Sequence, residues 1–231
     1  MTRTSLKILA TLALAAAALP AAANLVVNGS FDANVTATKI GFQGNVTGWT
    51  GGANLTFLAP PGSADDLSQY LAVYGPFPTT SPDGGNFILA DGDPNYAGAF
   101  SQTIAGLTIG QAYTLNFYQA AGQQAGFGGS TTERWSVTFG GDNWLSNLFT
   151  LPQGGVGPWQ AQSHSFTATA TSQVLTFLAS GTPGGAPPIS FLDGVTLEAA
   201  VPEPATWALM IGGFGLVGGA MRRRAAGTVA A

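Results

Sequence analysis

Apolar and polar side chains alternate every second residue over long parts of this chain, and that period commits those parts to half-buried β-strands. Over 112–119, Tyr113, Leu115 and Phe117 alternate with Thr114, Asn116 and Tyr118. Over 133–139, Trp135, Val137 and Phe139 oppose Arg134, Ser136 and Thr138. Residues 173–179 carry apolar side chains on both faces and predict a central strand covered on both sides. Further strands are expected at 25–27, 55–58, 70–74, 87–90, 100–104, 144–149, 165–170 and 189–198. Gly and Pro clusters separate them, among them Pro60-Pro61-Gly62, Gln153-Gly154-Gly155 and Pro183-Gly184-Gly185. The Gly- and Gln-rich stretch 119–132 reads as a long mobile loop. The pattern predicts an all-β fold, a β-sandwich of jelly-roll type over residues 24–200, with a closed barrel as the rival.

Composition removes several function classes. The chain has no Cys, which excludes disulfide scaffolds, thiolate zinc sites and Cys nucleophiles. Between Asn24 and Val201 stand ten acidic residues and two basic ones, Lys39 and Arg134. Such a surface repels phosphate backbones, so no nucleic-acid partner is expected. His164 is the sole His, and no G-x-S-x-G elbow, P-loop or dinucleotide fingerprint is present. A glycosidase needs two facing carboxylates, and Glu133, Asp142 and Glu198 cannot be paired from their positions. No catalytic residue is assigned.

Both ends look like addresses. Arg3 and Lys7 precede an apolar run at 8–19, a break at Pro20 and the small residues Ala21-Ala22-Ala23. This is the layout of a signal peptide, 1–23, cut after Ala23 by signal peptidase. At the other end, Val201-Pro202-Glu203-Pro204 precedes an uncharged stretch at 205–221 and then Arg222-Arg223-Arg224. At ~1.5 Å per residue the stretch reaches ~25 Å, enough to cross a thin inner membrane as a transmembrane helix. The arginines place 225–231 in the cytoplasm as a short tail and the domain outside. Glycines at 212, 213, 215, 218 and 219 make the helix poorly hydrophobic, so it is expected to be held only transiently.

The tail resembles the PEP-CTERM sorting signal of Gram-negative bacteria. Residues 201–224 carry its Pro-Glu-Pro triplet, the Thr206-Trp207-Ala208-Leu209 start, the Gly-rich span and the arginine run, in order. The resemblance implies recognition of Val201, Pro202, Glu203, Pro204, Arg222, Arg223 and Arg224 by an exosortase. It also implies release or attachment at the cell surface, in bacteria that make exopolysaccharide. The opening Asn24-Leu25-Val26-Val27-Asn28-Gly29-Ser30-Phe31-Asp32 and the closing Phe191-Leu192-Asp193-Gly194-Val195-Thr196-Leu197 resemble the ends of galactose-binding-like jelly rolls. That resemblance implies carbohydrate binding and a structural calcium between first and last strands, with Asp32 and Asp193 at the matching positions. No motif requires a cofactor.

Asp193 is the sharpest internal signal, because alternation sets it among Ile189, Phe191, Val195 and Leu197. A carboxylate there needs donors or a cation, unless Gly194 makes a bulge whose backbone N–H groups serve it. Asp91-Gly92-Asp93-Pro94-Asn95 has calcium-loop spacing but lacks the Gly and Glu of an EF-hand, and reads as a turn. Trp49, Trp144, Trp159 and Tyr96 are candidate sugar-stacking residues, with Tyr74 and Phe127 behind them, whereas alternation puts Trp135 in the core. The N-x-[ST] sequons at Asn28, Asn34, Asn45 and Asn54 read as turn composition in a bacterial chain. The expected role is a non-catalytic structural or binding component of an extracellular polysaccharide layer. A lectin-like module with a defined sugar site and a polysaccharide-active enzyme are the alternatives.

Overall fold

The computed structural model describes residues 23–33, 40–42, 46–51, 55–200 and 205–226. Residues 1–22 of the signal peptide expected at 1–23, Val201 to Pro204, the sequons at Asn34, Asn45 and Asn54, and residues 227–231 lie outside the described residues. The domain is an all-β sandwich of two antiparallel sheets. In spatial order the first is β1 (Gly41–Phe42), β3 (Thr56–Ala59), β4 (Phe87–Asp91), β12 (Pro188–Ala199), β6 (Ala112–Gln123) and β10 (Val156–Thr167). The second is β2 (Thr50–Gly51), β5 (Phe100–Ala105), β11 (Ser172–Thr182), β7 (Thr131–Phe139) and β8 (Asp142–Leu145), with β9 (Phe149–Leu151) also on β7. Among the described residues no strand pairing joins the two sheets, so they form a sandwich and not a closed barrel.

Alternation builds the main core as expected. Tyr113, Leu115 and Phe117 of β6 face Trp135, Val137 and Phe139 of β7, with Phe177 of β11 between them. Trp135 Nε1 donates to the Phe191 carbonyl at 2.9 Å and so ties the second sheet to the first. A second core lies on the outer face of the first sheet. Phe57, Phe87, Leu89 and Phe191 are covered there by Leu71, Val73 and Phe77 of the segment 60–86. Phe77 stacks on Phe191 with centroids 4.2 Å apart.

Several local expectations need correction. The stretch 119–132 is mostly strand: β6 runs to Gln123 and β7 begins at Thr131. Its glutamines serve the fold, since Gln119 Nε2 donates to Asn147 O and Gln123 Oε1 accepts from Gly154 N. β11 is central in its sheet but covered on one face only, because Val174 and Leu178 are 48% and 38% exposed. Residues 70–74 form no strand beyond an isolated Val73–Gln124 bridge. Residues 25–27 form none either, although Leu25 N donates to Leu197 O. The single strand expected at 144–149 is two, β8 and β9, and the one at 165–170 is the end of the twelve-residue β10.

Gly29 marks a close backbone approach. It lies beside β12, its carbonyl accepts from Val195 N, and a Cβ there would sit 1.9 Å from Val195 O. The opposing atom is backbone and has no rotamer to escape into. Gly29→Ala is therefore expected to cost about 2–3 kcal/mol. Denaturant titration checks this, and a midpoint equal to wild type would contradict the packing.

The tail forms helix α1 (Ala205–Ala226). Among the described residues no helix is long and apolar enough to cross a membrane, and the span expected at 205–221 lies within α1. The glycines inside α1 add length without hydrophobic surface.

Candidate functional site

The segment 60–86 covers only part of the first sheet's outer face. Where it stops, a groove of about 410 Å³ opens over β10, β6 and β12. Strand register makes its floor. Ser163 of β10 and Thr196 of β12 both pair with Asn116 of β6, giving a hydroxyl–amide–hydroxyl row at strand spacings of ~4.8 Å. In the next row Tyr118 faces Ala161, and a Cβ on Gly194 would lie 2.9 Å from its ring. Small neighbours thus leave the Tyr118 ring half-exposed on the floor. Asp83 stands at the rim as an exposed carboxylate.

Asp193 holds that rim to the floor. The register of β12 shifts between Asp193 and Thr196, and Gly194 adopts a φ of 59°, so the strand bulges there. Asp193 Oδ1 accepts from Gly194 N at 2.7 Å, while Oδ2 accepts from Ser81 Oγ. Ser81 Oγ in turn accepts from Asp83 N at 3.0 Å and Gly84 N at 3.2 Å, which fixes the rim. Burial pushes the Asp193 carboxyl up to about 8; the Ser81 and Gly194 hydrogen bonds oppose the rise, and the nearby Asp83 and Asp32 charges add to it. Asp32 itself accepts from Asn86 N at 2.7 Å. Among the described residues no group of three or more His, Cys, Asp or Glu side chains could hold a metal ion. Asp193 is thus held by two protein donors, and Asp32, the other carboxylate expected at a calcium, accepts from the Asn86 amide.

The four aromatic candidates are not brought together. Trp49 is core: it is 9% exposed, stacks on Phe100 at 4.3 Å and donates Nε1 to Asn28 O. Trp159 packs on the second core, with its Nε1 buried and no hydrogen-bond partner found for it. Trp144 is half-buried and stacks on His164 at 4.7 Å, joining the edge strands β8 and β10 of the two sheets. Tyr96 is 49% exposed in the turn after β4, where Asp91 Oδ1 accepts from Asp93 N and Asp93 Oδ1 from Asn95 N. The groove residues were missed because their meeting depends on register between distant strands. Only the outward face of Asn116 and Tyr118 was visible locally.

The last strand delivers the tail. β12 ends at Ala199, and Ala200 N still donates to Ala112 O at 2.8 Å. Directly after it begins the region of Pro-Glu-Pro, α1 and the arginines, and residues 200–224 match the profile of the PEP-CTERM protein-sorting motif. The chain carries this sorting motif. No curated protein matches the chain. Among solved structures, it is similar to TmCBM61 in complex with β-1,4-galactotriose, with a TM-score of 0.47 and 14% identity over 77% of this chain and 99% of that one. A xylan-binding domain from Paenibacillus barcinonensis gives a TM-score of 0.42 and 12% identity, covering 80% of this chain and 99% of that one. The N-terminal cellulose-binding domain of Cellulomonas fimi β-1,4-glucanase C gives 0.38 and 17%, covering 78% and 99%. None of these likenesses bears on what the PEP-CTERM chain binds.

Proposed function

We propose that this chain is an exported bacterial surface or matrix protein, sorted by an exosortase through its PEP-CTERM tail, whose sandwich binds a neutral polysaccharide without catalysis. The groove carries the binding half of the reading. Its floor offers two hydroxyls, an amide and a half-exposed aromatic ring, and its rim a single carboxylate. The ring can pack on the C–H face of a sugar while Asn116, Ser163, Thr196 and Asp83 bond its hydroxyls. The groove thus favours a defined sugar site over a purely structural role. It gives no support to a polysaccharide-active enzyme, since Asp83 is the one acidic side chain in its lining and Glu133 is fully buried elsewhere.

Tyr118→Ala is expected to weaken binding to neutral polysaccharides about tenfold, as loss of a central aromatic contact of ~1.4 kcal/mol would. Affinity electrophoresis through gels containing galactan, xylan or β-glucan measures it. Retention of Tyr118→Ala equal to wild type would remove the groove as the site. No retention of wild type by any neutral polymer would remove the binding reading and leave the sorting reading intact.

A further inference from the structure

The sorting motif and the folded domain overlap by one residue. Matching to the motif begins at residue 200, yet Ala200 is still hydrogen-bonded into the first sheet. Its N–H pairs with Ala112 O. Its carbonyl accepts from Gln111 Nε2 at 3.0 Å, and the same Nε2 also donates to Ala112 O at 3.0 Å. Gln111 is itself firmly placed. Its N–H donates to Thr108 O at 3.1 Å, its carbonyl accepts from Ala168 N at 2.9 Å, and Thr108 N donates to Tyr113 Oη at 2.9 Å. One amide side chain on a fixed turn therefore closes the end of the last strand. The N-terminal edge is stitched to the same strand: Asn24 Oδ1 accepts from both Val26 N and Leu197 N. Asn24 and Ala200 thus lie at the same end of the sandwich.

An enzyme that cuts or transfers at a peptide bond holds unpaired chain on both sides of that bond. Here no spacer separates the paired Ala200 from Val201 and Pro202. We propose that Gln111 is a latch that keeps Ala200 in the domain, so that release of Ala200 precedes processing of the tail. This rests on reading residues 200–224 as a sorting substrate. Strand ends open locally without global unfolding, and a step that uses only the open state proceeds in proportion to its population. Gln111 is a positioning residue in this scheme. It sets how often the motif is presented and touches no reacting atom.

The test is a pulse-chase of the full-length precursor in a bacterium that carries the sorting machinery. Wild type is compared with Gln111→Ala, Gln111→Glu and a chain with six Gly/Ser residues inserted between Ala200 and Val201. The precursor half-life is expected to shorten about fivefold in the two substitutions, the scale set by losing one or two neutral hydrogen bonds, and at least as much in the insertion, where the tail is reached without opening Ala200. Gln111→Glu keeps the size of the side chain and loses the donor, which separates the hydrogen bond from packing. Hydrogen exchange at the Ala200 amide should quicken in the two substitutions while β7 and β11 stay protected. The insertion leaves the domain untouched, so it carries the test even where a Gln111 variant folds poorly. Processing of the inserted chain at the wild-type rate, or slower, overturns the latch and leaves the sorting reading standing. Failure of all chains, wild type included, to be processed overturns the sorting reading and the latch with it.

Discussion

Glu133→Gln should stabilise the domain at pH 8 by on the order of 3 kcal/mol more than it does at pH 4. Glu133 lies on the inward face of β7 with 0% exposure, and neither carboxylate oxygen has a hydrogen-bond partner. Burial pushes its carboxyl up from 4.5 to about 7; the Thr131 hydroxyl favours the charged form but does not reach hydrogen-bond geometry. At pH values below the unfolded pKa both states are protonated and the site costs nothing extra. As pH rises towards 7 the unfolded chain ionises and the folded one resists, so stability is lost across that window and stays lost above it. Gln keeps the shape and cannot ionise. Any cost of burying its amide is present at every pH, which makes the difference between pH values the diagnostic quantity. Asp91, raised to about 6, and Asp193, raised to about 8, act with the same sign and the same leading cause, burial. Wild type should therefore melt higher at pH 5 than at pH 8. Calorimetry of both chains at pH 4, 6 and 8 decides it: a mutational shift that does not change with pH would mean that burial does not raise the Glu133 carboxyl above its unfolded value.

What could be read in the sequence was what one-sided burial writes locally. β6 and β7 were legible because Tyr113 to Phe117 and Trp135 to Phe139 each face a single core. The first half of β10 was not, since Gly157, Pro158 and Trp159 break the alternation and the register shifts between Gly157 and Gln160. The second core was hidden for a different reason. Leu71, Val73 and Phe77 sit in an irregular segment with no period, and their burial depends on docking against Phe87 and Phe191. Residues 173–179 misled because Val174 and Leu178 are apolar and exposed, which soluble proteins tolerate at isolated positions. Trp49 misled because its Gly-flanked position suggested a loop platform, whereas its indole N–H is satisfied by Asn28 O inside the fold. The site depends on register: nothing near Ser163 or Thr196 announces that both will flank Asn116.

Trp135→Ala should lower the melting temperature by roughly 10–20 °C, the largest effect expected of a single substitution here. The side chain is 0% exposed and meets Phe177 edge-on with centroids 5.9 Å apart. Truncation of a buried Trp to Ala costs about 3–5 kcal/mol, and loss of the 2.9 Å hydrogen bond to the Phe191 carbonyl adds about 1 kcal/mol. Trp135→Phe separates the two, because it refills much of the cavity and still lacks the indole donor; it should lose less than half as much. Equal losses for Phe and Ala would put the whole effect on the hydrogen bond. The consequence should extend to the groove. Phe191 receives the Trp135 bond through its backbone while its ring stacks on Phe77 in the second core, two residues before Asp193 and the bulge that seats Tyr118. Trp135→Phe should therefore weaken polysaccharide retention at temperatures where the domain is still folded, whereas Tyr118→Ala should weaken retention with a melting temperature near wild type. A Trp135→Phe protein that is destabilised yet retained like wild type would show that β12 holds the groove without help from the main core.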